Sequence, residues 1–359
     1  MARVLYGISG EGSGHSSRAR EMMRHLLAQG HEVRAVSYDQ GYRNLKDDFD
    51  VFETEGLSIA TEENRVSVVQ TFVDNLKRLP SGARHLAELR RVCFDSFQPD
   101  CVLTDFEPMT AYVAHHEGLP LVTLDNQHRM RYMRYPRPQG LGRSARITET
   151  VIRMMVPRPD LSLVTTFYFG EVSNQRTRLF PPILRREIHA AHPTREDFVL
   201  VYFTQGFDEY LEHLRACPRE QFRVYGSGKR GRDGNLDFQP RSRDGFLADL
   251  TRCKAVISTA GFTLMTESLH LAKPFLALPM EGQFEQELNA HLLDDLGCGK
   301  NGRERSAASV GDFLYRLPEY EAALERYPRS DNRAITSMLD ELLADDAQMA
   351  RDLHVARNS

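Results

Sequence analysis

Short apolar runs alternate along this chain with longer stretches in which apolar residues recur every three or four positions. Residues 2–9 read as a first buried strand. Gly10-Glu11-Gly12-Ser13-Gly14-His15 follows as a glycine-rich loop, and 16–28 carries Ala19, Met22, Met23, Leu26 and Leu27 at helical spacing. Residues 32–37 return to a strand. This strand–loop–helix–strand unit opens a doubly wound sheet. Beyond it the pattern predicts a strand at 50–53, helix over 65–97 broken at Pro80-Ser81-Gly82, and a strand over 99–105 ending in Asp105. A helix starting at Pro108, a strand at 119–124 running into Asp125-Asn126-Gln127-His128, and a strand at 161–169 complete the first half.

The proline pair in Leu179-Phe180-Pro181-Pro182-Ile183 reads as a stiff linker. The second half then repeats the logic. Strands are expected at 197–203, 221–225, 235–238, 253–257 and 273–279, with helices up to 216, over 244–252, over 264–271 and within 280–293. From 317 onward the chain reads as charged amphipathic helix. The expected layout is a first domain at 1–180, a linker at 181–183, a second domain at 184–340, and a tail at 341–359 able to pack back on the first domain. The fold class is α/β, with two Rossmann-like doubly wound domains.

The junction Ser258-Thr259-Ala260-Gly261 carries the first chemical signal. A strand that turns at once into a helix leaves the first helical amides without intrahelical acceptors, and with the helix dipole they suit a phosphate or diphosphate. Gly261 lets a ligand approach the backbone. Glu267 lies too far into the helix to cap it, and holding ribose hydroxyls is one reason for a carboxylate there. The competing view is an ordinary strand–glycine–helix junction.

The loop at 10–15 has three readings. As a dinucleotide fingerprint it lacks the last glycine, where His15 stands, although Asp39 follows the second strand as a ribose acid would. As a phosphate loop it lacks Gly-Lys-Ser/Thr, and Gly226-Ser227-Gly228-Lys229 does not supply one. In the third reading Gly12, Ser13 and Gly14 let a small acceptor come close and His15 takes a proton from its hydroxyl. Asp105, at the carboxyl end of its strand, is placed to orient that imidazole. The bland alternatives are a helix-start neighbour for His15, a helix N-terminal acid for Asp105, and a surface or packing role for His128.

Composition narrows the class only a little. A hydrophobic content of 41% and a charged content of 27% are those of a globular protein. The net charge of −4 speaks against nucleic acid as a partner. Five scattered cysteines without metal-ligand spacing fit a reducing cytoplasm. The short run Val4-Leu5-Tyr6 is no leader core, and no run reaches the length of a membrane span. Residues 129–158 differ from the rest, with eight arginines against the single acid Glu149. That segment reads first as a surface helix, then as a contact for lipid, phosphate or an anionic membrane face, with nucleic acid a further option.

Taken together these residues resemble a GT-B glycosyltransferase, and most of all the MurG-type N-acetylglucosaminyltransferases and the wider UDP-glycosyltransferases. The resemblance spans nearly the whole chain and is strongest over 253–293. Gly10 to His15 is similar to the family's amino-terminal glycine loop, and Gly261 with Glu267 matches its Gly-to-Glu donor spacing. Glu285-Gln286 with Asn289-Ala290 is similar to its Asp/Gln-x-x-Asn-Ala block, and Thr204-Gln205-Gly206 to its Ser-Gln-Gly loop. Asp105 stands where plant members keep the aspartate that pairs with the catalytic histidine. Two departures are plain: Thr259-Ala260 precede Gly261 where a side-chain cation is usual, and Glu285 replaces Asp.

The resemblance implies two domains facing each other across a cleft and an inverting transfer from a nucleotide sugar, UDP-linked, to an acceptor hydroxyl on a small molecule or lipid. It implies His15 as base braced by Asp105, with Gly12, Ser13, Gly14 and His128 on the acceptor side. It implies a donor held by Gly261, Phe262, Thr263, Glu267, Glu285, Gln286, Thr204, Gln205 and Gly206, with the base near Gln239 and Phe246. No metal or other cofactor is expected, and the location is cytoplasmic, with peripheral contact at the inner membrane face through 129–158. A UDP-sugar 2-epimerase and a noncatalytic nucleotide-sugar-binding protein are the alternatives.

Overall fold

The computed structural model describes residues 1–56, 86–203, 209–329 and 331–358, with the backbone of 61–62 and 65–66. The chain forms two compact units. The first comprises Met1–Tyr135, Gly142–Arg185 and Asp331–Ser359, and the second Pro136–Leu141 and Arg186–Ser330.

The first unit is built on a seven-stranded sheet. Its strands are β1 (Arg3–Ile8), β2 (Glu32–Ser37), β3 (Val51–Glu53), β6 (Cys101–Asp105), β7 (Leu121–Asp125), β8 (Leu161–Thr165) and β9 (Thr177–Phe180). The order is β3-β2-β1-β6-β7-β8-β9, and every pairing is parallel. Such a sheet is covered on both faces, and β6, β7 and β8 are buried at every position, apolar residues and the few polar ones alike. The order reverses between β1 and β6, where Ile8 pairs with Asp105. Ligands of open α/β sheets bind outside the carboxyl ends of the strands at that reversal.

Two differences from the sequence pattern appear here. Arg65–Val66, expected to be helical, is strand β5 and pairs antiparallel with β4 (Thr61–Glu62). The 80–82 break lies outside the described residues, and the end of the stretch, Arg90–Ser96, is a π-helix. Thr177–Phe180 is an edge strand on β8, so the extended backbone runs right up to the prolines.

The second unit repeats the plan with β10 (Val199–Tyr202), β11 (Phe222–Tyr225), β12 (Gly231–Asp233), β13 (Leu236–Phe238), β14 (Ala255–Thr259), β15 (Phe275–Leu278) and β16 (Gly299–Asn301). Their order is β12-β13-β11-β10-β14-β15-β16, parallel except for β12 against β13. Here the reversal falls between β10 and β14, where Tyr202 pairs with Ser258 and the Ser258 hydroxyl donates to the Tyr202 carbonyl at 2.7 Å.

The chain rejoins the first unit at Asp331, earlier than the 341 at which the sequence reading began the tail. The final helical segment, Arg333–Asn358, is interrupted at 344–347 by non-helical backbone. Its Ile335, Leu339, Leu342, Leu343, Ala347 and Ala350 share one core with Val4, Tyr6, Ile8, Met22, Leu103 and Val122. The last stretch of sequence is therefore part of the packing behind the first sheet.

Candidate active site

At the reversal of the first sheet, β1 runs into the loop Ser9–Ser13 and then helix α1 (Gly14–Ala28). Gly12 adopts φ of 70°, a left-handed turn that glycine takes without strain. The turn places His15 in the first turn of α1. Its Nδ1 lies 2.7 Å from Oδ1 of Asp105, the last residue of β6. His15 keeps 9% of its surface exposed while Asp105 has none. The structure thus brings together the two residues that the sequence placed in one role.

A third residue, missed by the sequence reading, completes the cluster. Arg18 donates from Nε to Asp105 Oδ2 and from Nη2 to Oδ1, each at 2.6 Å. Arg18 follows His15 by three positions, so both side chains occupy one face of α1. That spacing was the available signal. Arg18 is only 5% exposed. Burial pushes the Asp105 carboxyl upward, but the Arg18 charge and then His15 outweigh it and hold the group below its ordinary value.

Glu107, two positions after Asp105, serves the helix that follows. It caps the helix Pro108–Glu117, accepting from the amides of Met109 and Thr110 at 2.8 Å and from the Thr110 hydroxyl at 2.6 Å. Among the described residues, no three of His, Cys, Asp and Glu converge as a metal-ligating group.

One strand over, His128 forms a second histidine–aspartate pair. Its Nδ1 is 2.7 Å from Asp125 Oδ2, its amide donates to Asp125 Oδ1 at 2.8 Å, and its ring stacks on Tyr132 at 5.5 Å. This pair is fully buried, so the surface half of the surface-or-packing alternative for His128 falls away.

In the second unit β14 passes through Ala260 and Gly261 into the helix Phe262–His270. The backbone before Gly261 bends back, so that its amide donates to the Thr259 carbonyl at 2.7 Å. The amides offered by the helix start therefore begin at Phe262 rather than at Gly261. A side chain at Gly261 would meet no atom within 4 Å, so the space before the turn is open. Thr263 is half-buried and Phe262 nearly covered. Glu267 sits one to two turns along and is 2% exposed.

The other donor-side residues lie nearby in the chain but differ in what they hold. Gln286 is engaged locally, accepting from the Met280 amide at 3.1 Å and donating to Gln283 at 2.8 Å. Glu285 is half-buried beside it on the helix Phe284–Asp295. Asn289, on that helix, donates to the Ala260 carbonyl at 2.8 Å. Gln239 follows β13, and Phe246 meets Tyr202 and Tyr225 edge-on at 5.4 and 5.2 Å. Thr204, Gln205 and Gly206 lie outside the described residues.

Two seven-stranded doubly wound units of this kind define the GT-B fold of glycosyltransferases. The profile of glycosyl transferase family 1 matches residues 2–318, and the chain belongs to that family. An uncharacterized glycosyltransferase of Methanosarcina acetivorans is 26% identical over 332 residues, covering 83% of each chain. One of Methanosarcina mazei is 24% identical over 327 residues, covering 83% of this chain and 85% of its own. Among solved structures, the kitacinnamycin glycotransferase superposes with a TM-score of 0.67 at 17% identity, covering 95% of this chain and 98% of its own. The spinosyn rhamnosyltransferase complexed with thymidine diphosphate gives 0.63 at 14% identity, covering 95% and 100%. The chain is a glycosyltransferase.

Proposed function

We propose that this enzyme transfers a sugar, with inversion, from a pyrimidine nucleoside diphosphate, UDP in the first place, to an acceptor hydroxyl. The observation that carries the reading is the 2.7 Å contact between His15 and Asp105 at the strand reversal. The acceptor oxygen attacks the anomeric carbon from the face opposite the diphosphate. The new carbon–oxygen bond forms as the bond to the phosphate oxygen breaks, and the electron pair leaves with the nucleoside diphosphate. His15 Nε2 takes the acceptor's proton. The leaving diphosphate is stabilised by the amides at the start of the helix Phe262–His270, with Glu267 on the ribose and Glu285 on the sugar. This scheme calls for no metal. The thymidine diphosphate complexes of the spinosyn rhamnosyltransferase and of SsfS6 support a pyrimidine nucleotide. The spinosyn aglycone complex supports a small-molecule acceptor, with a lipid as the other candidate.

The test is a transfer assay over UDP-, dTDP- and GDP-sugars. His15→Gln lowers turnover by about two to four orders of magnitude and leaves donor affinity unchanged. Full turnover in that variant would sink the reading. Glu267→Ala weakens UDP binding by roughly 1–3 kcal/mol in calorimetry, and an unchanged affinity would remove Glu267 from the donor site.

A further inference from the structure

We propose that Arg18 is a positioning residue that decides which nitrogen of His15 carries the proton, so that the ring offers Nε2 as a base. The proposal rests on the reading of His15 as the acceptor's base. The motif resemblance described above assigns Arg18 no part in the reaction.

Three polar groups crowd together here. Asp105 Oδ1 lies 2.7 Å from His15 Nδ1 and 2.6 Å from Arg18 Nη2, and Nη2 is itself 2.7 Å from Nδ1. Nδ1 can donate to Asp105 or accept from Arg18, but not both. The choice follows from the charge on Asp105. An ionised carboxylate has only lone pairs to offer. A bare Nδ1 facing it at 2.7 Å would set lone pair against lone pair, so Nδ1 carries a proton and donates to Oδ1. Arg18 Nη2 then donates to the same oxygen, and Nε to Oδ2 at 2.6 Å. Nε2 is left with its lone pair, the form a general base needs.

Arg18 is what keeps Asp105 in that state. A carboxyl with no exposed surface favours its neutral form unless an opposite charge is paired to it. Asp125 and the covered Tyr6 add no positive charge to the pocket, and both act electrostatically on Arg18. Without the guanidinium, Asp105 would hold its own proton and donate it to Nδ1. The ring would then be protonated on Nε2 and unable to accept from a hydroxyl. The two-pronged contact also explains arginine over lysine, since only the planar fork can meet both carboxylate oxygens at once.

Nitrogen-15 spectra of the histidine rings test this directly. The chain has 13 histidines, and His15 is identified by the signals that vanish in His15→Gln. The expected wild-type spectrum shows Nδ1 protonated and Nε2 bare. Arg18→Met moves the proton to Nε2 and lowers kcat by about 10²–10⁴-fold while the Kd for UDP stays the same. Arg18→Lys, which keeps a charge against Asp105, retains the wild-type tautomer and recovers part of the rate. Combining Arg18→Met with Asp105→Asn costs no more than the worse single change, because both act through one proton. A wild-type ring protonated on Nε2, an Arg18→Met ring with the wild-type tautomer, an Arg18→Met enzyme of undiminished kcat, or a lysine variant no better than methionine overturns the proposal. If Arg18→Met does not fold, as judged by circular dichroism, the wild-type spectrum and the lysine variant decide alone. Failure of the base reading is seen separately: His15→Gln would then keep its turnover, whatever the spectra show.

Discussion

Asn289 donates its side-chain amide to the carbonyl of Ala260 at 2.8 Å, and both residues are fully buried. The bond ties the helix Phe284–Asp295 to the turn that starts the helix Phe262–His270. It holds the turn at the residue before Gly261, two positions ahead of the first amide proposed to meet the diphosphate. Asn289→Ala leaves that carbonyl buried without its partner, which costs about 1–3 kcal/mol of stability. The variant is expected to unfold at lower urea and to bind UDP more weakly in calorimetry. An undiminished affinity in a destabilised protein would mean the turn keeps its shape without Asn289.

Leu342 has no exposed surface and packs in the core of the first unit with Leu339, Leu343 and Val4. Truncating such a side chain removes apolar contacts and leaves a cavity. Leu342→Ala is therefore expected to cost about 2–5 kcal/mol in urea denaturation. A loss well below that would show that the segment after Asp331 is not part of the first unit's stable core.

Both architecture and chemistry were partly legible in the chain. The parallel strands announced themselves because burial on two faces demands unbroken apolar runs, as in Val102-Leu103 and Val256-Ile257. His15 and Asp105 were legible because each ends or follows such a run at a glycine or strand terminus. Arg18 was not, since a buried arginine looks like a solvated one until its partner, distant in sequence, is placed beside it. Glu107 was silent for a related reason: only the backbone shows that its oxygens are taken by helix amides. Short strands such as Gly231–Asp233 and Gly299–Asn301 carry too few apolar residues to register in any pattern.

The helix Gly142–Met155 exposes Arg143, Arg146 and Arg153 together with Ile147 and Met154, and buries only Ala145 and Ile152. Cationic and apolar side chains exposed on one helix suit an anionic lipid surface. The enzyme is expected to float with vesicles containing phosphatidylserine and to be released by raised salt, because surface charge attraction is screened. Changing the three arginines to glutamate should abolish flotation while leaving UDP binding intact. Equal flotation with neutral vesicles, or none with anionic ones, would count against a membrane role. No helix among the described residues is long and apolar enough to cross a membrane.

Asp105 also predicts how stability responds to acid. Burial raises its carboxyl, but the Arg18 charge and His15 bring it below the ordinary value of 3.8, so folding favours the ionised form. A native value below the unfolded one adds stability that is complete above the unfolded value and lost as pH falls through the native one. The wild type should therefore lose stability on acidification below about pH 5 through this group, whereas Asp105→Asn has no carboxyl to titrate there. Arg18 stays charged throughout, so in the variant its unpaired cost does not vary over that range. Urea denaturation of the two proteins from neutral pH downward measures the difference. The stability advantage of the wild type should shrink steadily as pH falls. A difference that stays constant through that range would show that Asp105 is not held ionised by Arg18, and would take away the electrostatic basis for the proton placement on His15 as well.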